Sequence, residues 1–161
     1  MNAVARRIAT VAAATGLAFA AFLTTAGAAS AATTPSFETQ VLTLTNKERA
    51  AAGCAALKAN TQLESSAKGH NDEMAKTGKM THTGVNGSTP GQRIDEAGYY
   101  WRMAGENVAY GQRTAEQVVR AWMKSPGHRA NILNCGYKDL GVAYTTDSKK
   151  RAYWTQNFGT R

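Results

Sequence analysis

Scarcity narrows the reading of this chain before any motif does. Its 161 residues include three histidines, two cysteines and three prolines. His70, His82 and His128 contain no pair one helical turn apart, so a dense zinc motif is excluded. Neither cysteine has the flanking residues of a thiol-enzyme motif. No serine shows a nucleophile arrangement, because Ser125 sits three residues from His128 across a turn, which does not by itself give triad geometry. Beyond the first thirty or so residues there is no long apolar run, no internal repeat and no low-complexity tract. Stable membrane insertion of that part is therefore not expected. Basic residues are scattered, and the one run, Lys149-Lys150-Arg151, falls at an expected hairpin tip, so nucleic acid is not an expected partner.

What is present begins with an export signal. Arg6 and Arg7 precede an apolar run from Ile8 to Phe22, and a small-residue region ends at Ala29-Ser30-Ala31. Residues 1–31 read as a secretory signal peptide cut after Ala31. A single membrane anchor is the competing reading, but the run is short, alanine-rich and interrupted by threonine. Residues 32–36 form a short flexible start, and 37–161 a single domain. Beyond the cut, seventeen basic residues face eleven acidic ones, a net charge of +6. That balance favours solubility and an affinity for anionic surfaces. In an oxidising compartment Cys54 and Cys135 are expected to form a disulfide, with a thiol nucleophile as the weaker alternative. The bridge would close a loop of roughly 80 residues and contribute about 4 kcal/mol in the chain-entropy account.

Periodicity predicts a helix over 37–52, with Phe37, Val41 and Leu44 on one side, Lys47 and Arg49 among the polar positions, and Gly53 as its stop. Asn46 inside it is a candidate structural residue that hydrogen-bonds a loop. A second helix runs from about Leu63 to Thr77, with Thr61 and Glu64 at capping-box spacing, and its stripe turns His70 toward the core in a structural role. Thr89-Pro90-Gly91-Gln92 opens a short third helix ending at Gly98. Gly105–Tyr110 reads as a short central strand. Thr114–Gln117, another capping-box pattern, opens a helix to Lys124 with Trp122 as core anchor. At Ser125-Pro126-Gly127-His128, proline stops that helix and glycine is expected to turn left-handed, placing His128 just past a helix end. One helical turn, Ala130 to Leu133, follows. Leu140–Tyr144 and Ala152–Phe158, joined by a polar turn, form a hairpin. Helices first and a hairpin last give an α+β domain.

Several segments in order resemble one family: Asn46-Lys47-Glu48-Arg49, His70-Asn71-Asp72-Glu73-Met74, Met80-Thr81-His82-Thr83 and Arg93-Ile94. Gly105-Glu106-Asn107-Val108-Ala109, Trp122 through Arg129, and Tyr153-Trp154-Thr155-Gln156-Asn157-Phe158 continue the set. Together they resemble the CAP superfamily (cysteine-rich secretory proteins, antigen 5 and pathogenesis-related 1 proteins) in its secreted bacterial branch. The resemblance covers about Phe37 to Phe158. It implies an α-β-α sandwich with a small, mainly antiparallel central sheet. It also implies a cleft of two histidines and two glutamates that in several members holds zinc or another divalent ion. Matched to this chain, the histidines are His82 and His128 and the first glutamate is Glu106. The second acid is missing, since Lys124 or Ser125 stands where it is expected.

Two imidazoles and one carboxylate suit a divalent cation, zinc the best match, at low affinity. Two function classes follow for this secreted, extracellular protein. One is a binding module for a lipid, glycan or cell-wall component, favoured by the aromatic segment Tyr99-Tyr100-Trp101 and the positive charge. The other is a metal-assisted hydrolase of an extracellular or wall substrate, with Glu106 as its catalytic base.

Overall fold

The structure is a computed structural model that describes residues 34–161; the expected signal peptide and the first two residues of the expected flexible start lie outside the described residues. Residues 34–161 form a compact unit with its own core. In chain order it contains α1 (Phe37–Ala51), β1 (Lys58–Ala59), α2 (Thr61–Thr77), α3 (Pro90–Glu96), β2 (Met103–Tyr110), α4 (Ala115–Lys124), α5 (Pro126–Ile132), β3 (Asp139–Thr146) and β4 (Ala152–Thr160). One sheet has the order β1-β3-β4-β2. Both β4 pairings are antiparallel, and only the two-residue β1 runs parallel to β3. The fold is α+β.

The sheet is the middle layer. Residues 152–159 of β4 are buried without interruption, as expected of a strand covered on both faces. Trp154 and Phe158 join Val41, Val118, Trp122 and Ile132 in the main core, under α1, α4 and α5. Tyr153 turns the other way, to Met74 of α2. Asn71 Nδ2 donates to Tyr153 O (2.9 Å) and Thr155 Oγ1 to Asn71 Oδ1 (3.0 Å), fastening α2 to β4. At Gly141 the two layers touch so closely that a Cβ would lie 2.1 Å from the Leu63 carbonyl carbon. Only glycine admits α2 at that distance.

Local signals explain most element ends. Gly53 and Gly78 stop α1 and α2 with φ of 76° and 69°, the left-handed geometry that releases a helix end. The Thr89/Gln92 capping box opens α3 with Pro90 at its first position. Four expectations change. Asn60 caps α2, accepting from Gln62 N and Leu63 N, so the helix begins at Thr61 without the Thr61/Glu64 box. Gln117 Oε1 bonds Arg113 N, so only the Thr114 half of the α4 box forms. β2 is an edge strand, with β4 the central one. Finally, Pro126 starts α5 instead of a left-handed turn, because a ring that cannot continue one helix is well placed to begin the next. His128 therefore lies inside α5.

Arg49, read as a polar surface position, is fully buried. Its guanidinium donates to four backbone carbonyls: Nε to Ala55 O (3.0 Å), Nη1 to Ile132 O and Asn134 O (both 2.8 Å), and Nη2 to Tyr137 O (3.1 Å). Burial pushes its pKa down from the ordinary value, yet a guanidinium so supplied with acceptors stays charged. Cys54 and Cys135 form a disulfide across the same two loops. Asn46 holds Leu57 at both backbone groups, donating to its O (3.0 Å) and accepting from its N (2.8 Å).

Replacing Arg49 tests this anchor. Arg49→Met removes the donor from four carbonyls, of which only Asn134 O keeps a backbone partner, and is expected to cost about 3 kcal/mol or more in urea unfolding. Arg49→Lys, with a single point donor, is expected to recover only part of that loss.

Candidate functional site

The candidate residues meet along the outer edge of β2. Residues facing the α2 and α3 layer alternate there with residues facing α4 and α5. Glu106 points to the first layer and Asn107 to the second. Beyond α2 the chain returns to the sheet at His82, and from the other layer α5 brings His128.

Glu106 is almost wholly buried, its side chain 1% exposed. Its charge is met by Arg93 of α3, whose Nη2 donates to Oε2 at 2.7 Å. Arg93 Nη1 donates to Ser88 O (2.9 Å) and to His82 O (3.1 Å), so one guanidinium holds both the carboxylate and the backbone of the histidine. His82 Nδ1 lies 2.9 Å from Glu106 Oε1. A carboxylate only accepts, so Nδ1 carries the proton, and Nε2 is the ring atom that could ligate a cation. The Asn157 amide, turned so that both its groups are paired, donates to Glu106 Oε2 (3.2 Å) and accepts from Ser66 Oγ and Ala67 N (both 3.1 Å). Glu106 is thus a buried acid with three donors around it rather than an exposed loop residue.

His70 steadies the approach to His82. It is buried in α2, with Nε2 2.6 Å from Thr81 O and Nδ1 3.4 Å from Glu73 Oε2. His128 is held through its backbone: Asn107 Nδ2 donates to His128 O (3.2 Å) and to Gln156 Oε1 (3.1 Å). Gln156 Nε2 reaches Thr45 Oγ1 of α1 (2.8 Å), and Asn131 Nδ2 donates to Asn107 Oδ1 (2.9 Å). A buried polar chain thus runs from α1 through the sheet to α5. Burial lowers the His128 pKa below its ordinary value, and the electrostatic effect of nearby His82 acts in the same direction.

A cavity of about 260 Å³ opens beside His128 along β2, lined by Met80, Val108, Tyr110, Ala121, Trp122 and Ser125 among others. Trp122 is buried in the core and donates through Nε1 to Val108 O (3.2 Å). The aromatic segment does not join this cleft. Tyr99 is buried and donates to Asp139 Oδ2 (2.7 Å), and Trp101 packs on Gly91.

Among the described residues, no three His, Cys, Asp or Glu side chains form a group that could hold a metal ion. The imidazoles that could serve a cation are those of His82 and His128. Glu106 orients the first ring from behind, as carboxylates commonly do for metal-binding histidines. Ser125 lies between α4 and α5 and Lys124 is exposed, so neither supplies an acid. Sequence reasoning did not assign Arg93, Asn107, Asn131, Gln156 or Asn157 to the site. The available signal was the run of polar residues, Gln156-Asn157, inside an otherwise apolar strand.

A three-layer α-β-α domain with two histidines astride an edge strand and a buried Arg–Glu pair behind them is a CAP-type domain. The profile of the cysteine-rich secretory protein family (CAP) matches residues 42–158, and the chain belongs to that family. It is 37% identical over 122 residues to the uncharacterized protein YkwD of Bacillus subtilis, covering 76% of this chain and 46% of YkwD. The chain thus spans less than half of that relative. An extracellular protein containing a SCP domain from Bacillus anthracis is 29% identical with a TM-score of 0.70, over 78% of this chain and 40% of that one. An outer surface protein of Borrelia burgdorferi is 25% identical, also with a TM-score of 0.70, over 75% of this chain and 90% of that one.

Two outcomes follow. Glu106→Gln leaves Arg93 buried without its counter-charge and is expected to destabilise the domain by about 3 kcal/mol in denaturant unfolding; an additional Arg93→Met is expected to restore part of the loss in a double-mutant cycle. For His128, the folded pKa lies below the unfolded value of 6.5. The unfolded state therefore binds the proton first, and stability falls as pH drops from 6.5 toward the folded pKa. In chelator-treated buffer, urea midpoints of His128→Gln are expected to fall less than those of the wild type between about pH 7.5 and about pH 5.

Proposed function

We propose that this chain is an exported CAP-domain binding module whose β2 cleft takes the apolar part of a lipid, with weak divalent-metal binding at its rim. The observation that carries the reading is the state of Glu106. Both its oxygens are occupied by Arg93, His82 and Asn157. A general base needs a free lone pair within reach of the water it activates; three of the roughly four acceptor positions of this carboxylate are taken, and its side chain is 1% exposed. That weighs against the metal-assisted hydrolase. The cleft walls, with Met80, Val108 and Trp122, favour a hydrocarbon moiety over a glycan or other polar wall fragment. Export through residues 1–31 agrees with the extracellular and outer-surface descriptions of the two structural neighbours.

A divalent cation, zinc first, would be held by His82 Nε2 and His128, with water completing its shell. Two protein ligands give a weak site, because a closed zinc site takes four and a catalytic one three. Such an ion would supply positive charge at the cleft rim for a ligand headgroup.

The test has two arms. Calorimetric titration of chelator-stripped protein with Zn²⁺ is expected to show micromolar binding that disappears in His82→Ala/His128→Ala. Binding unchanged in that variant would remove the histidines from the metal reading. A fluorescent fatty acid is expected to bind the wild type and to be excluded by Ala121→Phe, which fills the cleft from α4. Equal binding to both would remove the cleft from the ligand reading.

A further inference from the structure

The charge of this domain is concentrated at one end. The hairpin tip between β3 and β4 lies at the end of the sheet where β2 finishes, with Tyr110 opposite Tyr153. The β2–α4 loop is tied to the same end, since Trp154 Nε1 donates to Gln112 O (2.9 Å). The C-terminus of α2 arrives there too: a Cβ on Gly78 would lie 3.6 Å from Arg151 Nη2. Residues 76–80, 110–113 and 147–151 therefore make one pole. They hold six basic residues, Lys76, Lys79, Arg113, Lys149, Lys150 and Arg151, against one acid, Asp147. That is five of the six net positive charges of residues 34–161, in fourteen residues drawn from three separate segments.

Arg151 and Asp147 neutralise each other at 2.6 Å. The other five cations are exposed and make no ion pair among the described residues. A lysine near a helix C-terminus is accounted for by the helix dipole, which covers Lys76 but not the others. Lys150 sits at φ 62°, a left-handed conformation for which glycine or asparagine is the easier choice. The tip keeps a cation there all the same.

We infer that this pole docks the domain on an anionic phospholipid surface. The five cations line none of the main cavities, so they do not surround a polymer chain in a groove. They stand at an end of the molecule, a geometry that meets a plane of headgroups. Met80, 53% exposed and next to Lys79, supplies an apolar side chain that enters the interface. Met80, Tyr110 and Gln112 also line the β2 cleft, so docking here places the cleft beside the bilayer. The docking face does not depend on what the cleft holds.

Residues 32–161, which contain the whole core, sheet and disulfide, are cosedimented with vesicles of phosphatidylglycerol and phosphatidylcholine, and of phosphatidylcholine alone. The wild type is expected to bind only the anionic vesicles and to be released by salt. Each lysine near such a surface contributes about fivefold in partitioning. Lys76→Gln/Lys79→Gln/Lys149→Gln/Lys150→Gln is therefore expected to lose at least about tenfold. Lys47→Gln/Lys58→Gln/Arg120→Gln/Lys138→Gln, the same change of charge placed elsewhere, is expected to lose clearly less, with thermal melts verifying that both fold. Equal losses in the two variants, or wild-type binding to neutral vesicles as strong as to anionic ones, would overturn the inference. So would failure to bind either vesicle. Soluble polyphosphate that binds the wild type more tightly than the vesicles do, and loses its binding in the pole variant, would reassign the pole to a chain polymer.

Discussion

One buried guanidinium with no acid beside it holds the two ends of this fold together. Arg49 rises from the last turn of α1 and meets four carbonyls, two of them, Ile132 and Asn134, at the end of α5; Asn134 O also accepts from Tyr137 N (3.3 Å). Helix termini leave such carbonyls with partial negative charge, and a cation is the natural complement. The disulfide joins the same loops covalently. α5 has seven residues, too few to hold its shape alone. Its far end is pinned by Arg49 and its near end begins at Pro126. The orientation of His128 thus rests on an arginine in another helix.

A second arginine performs the corresponding task on the opposite face. Arg93 neutralises Glu106 inside the protein and holds the carbonyl of His82. The two histidines approach β2 from different layers, His82 held at its carbonyl by Arg93 and His128 at its carbonyl by Asn107. As an edge strand, β2 would present a row of unpaired carbonyls. Here Tyr137 donates to Ala104 O (3.1 Å), Asn131 to Glu106 O (3.1 Å) and Trp122 to Val108 O (3.2 Å). Of the side chains that close the sheet edge, Trp122 also lines the cleft.

Much of the architecture was legible because it depends on neighbours in sequence. The Thr89/Gln92 box, the stops at Gly53 and Gly78, the alternation of the hairpin and the pairing of Cys54 with Cys135 all appear as expected. Errors arose where local chemistry admits two outcomes. Pro126 can end a helix or begin one. Asn60 competes with Thr61 for the same cap. Two residues of β1 are too few to leave a pattern. The roles of the two arginines were missed for a different reason. Arginine is rarely buried unless paired, and what pairs Arg49 comes from residues 55, 132, 134 and 137.

By itself the sequence determined the element types, the family, the disulfide and the two histidines with Glu106 as the candidates for one site. Each of these rests on short spacings or on residue identity. Tertiary structure alone decided that Glu106 is enclosed by Arg93, that β2 lies at the sheet edge between the histidines, and that most of the net charge gathers at one pole. These are properties of distance, and the side chains concerned are separated by between a dozen and about seventy residues of chain. Only packing the helices onto both faces of the sheet brings them within the few ångströms over which ion pairs, hydrogen bonds and a shared electrostatic field act.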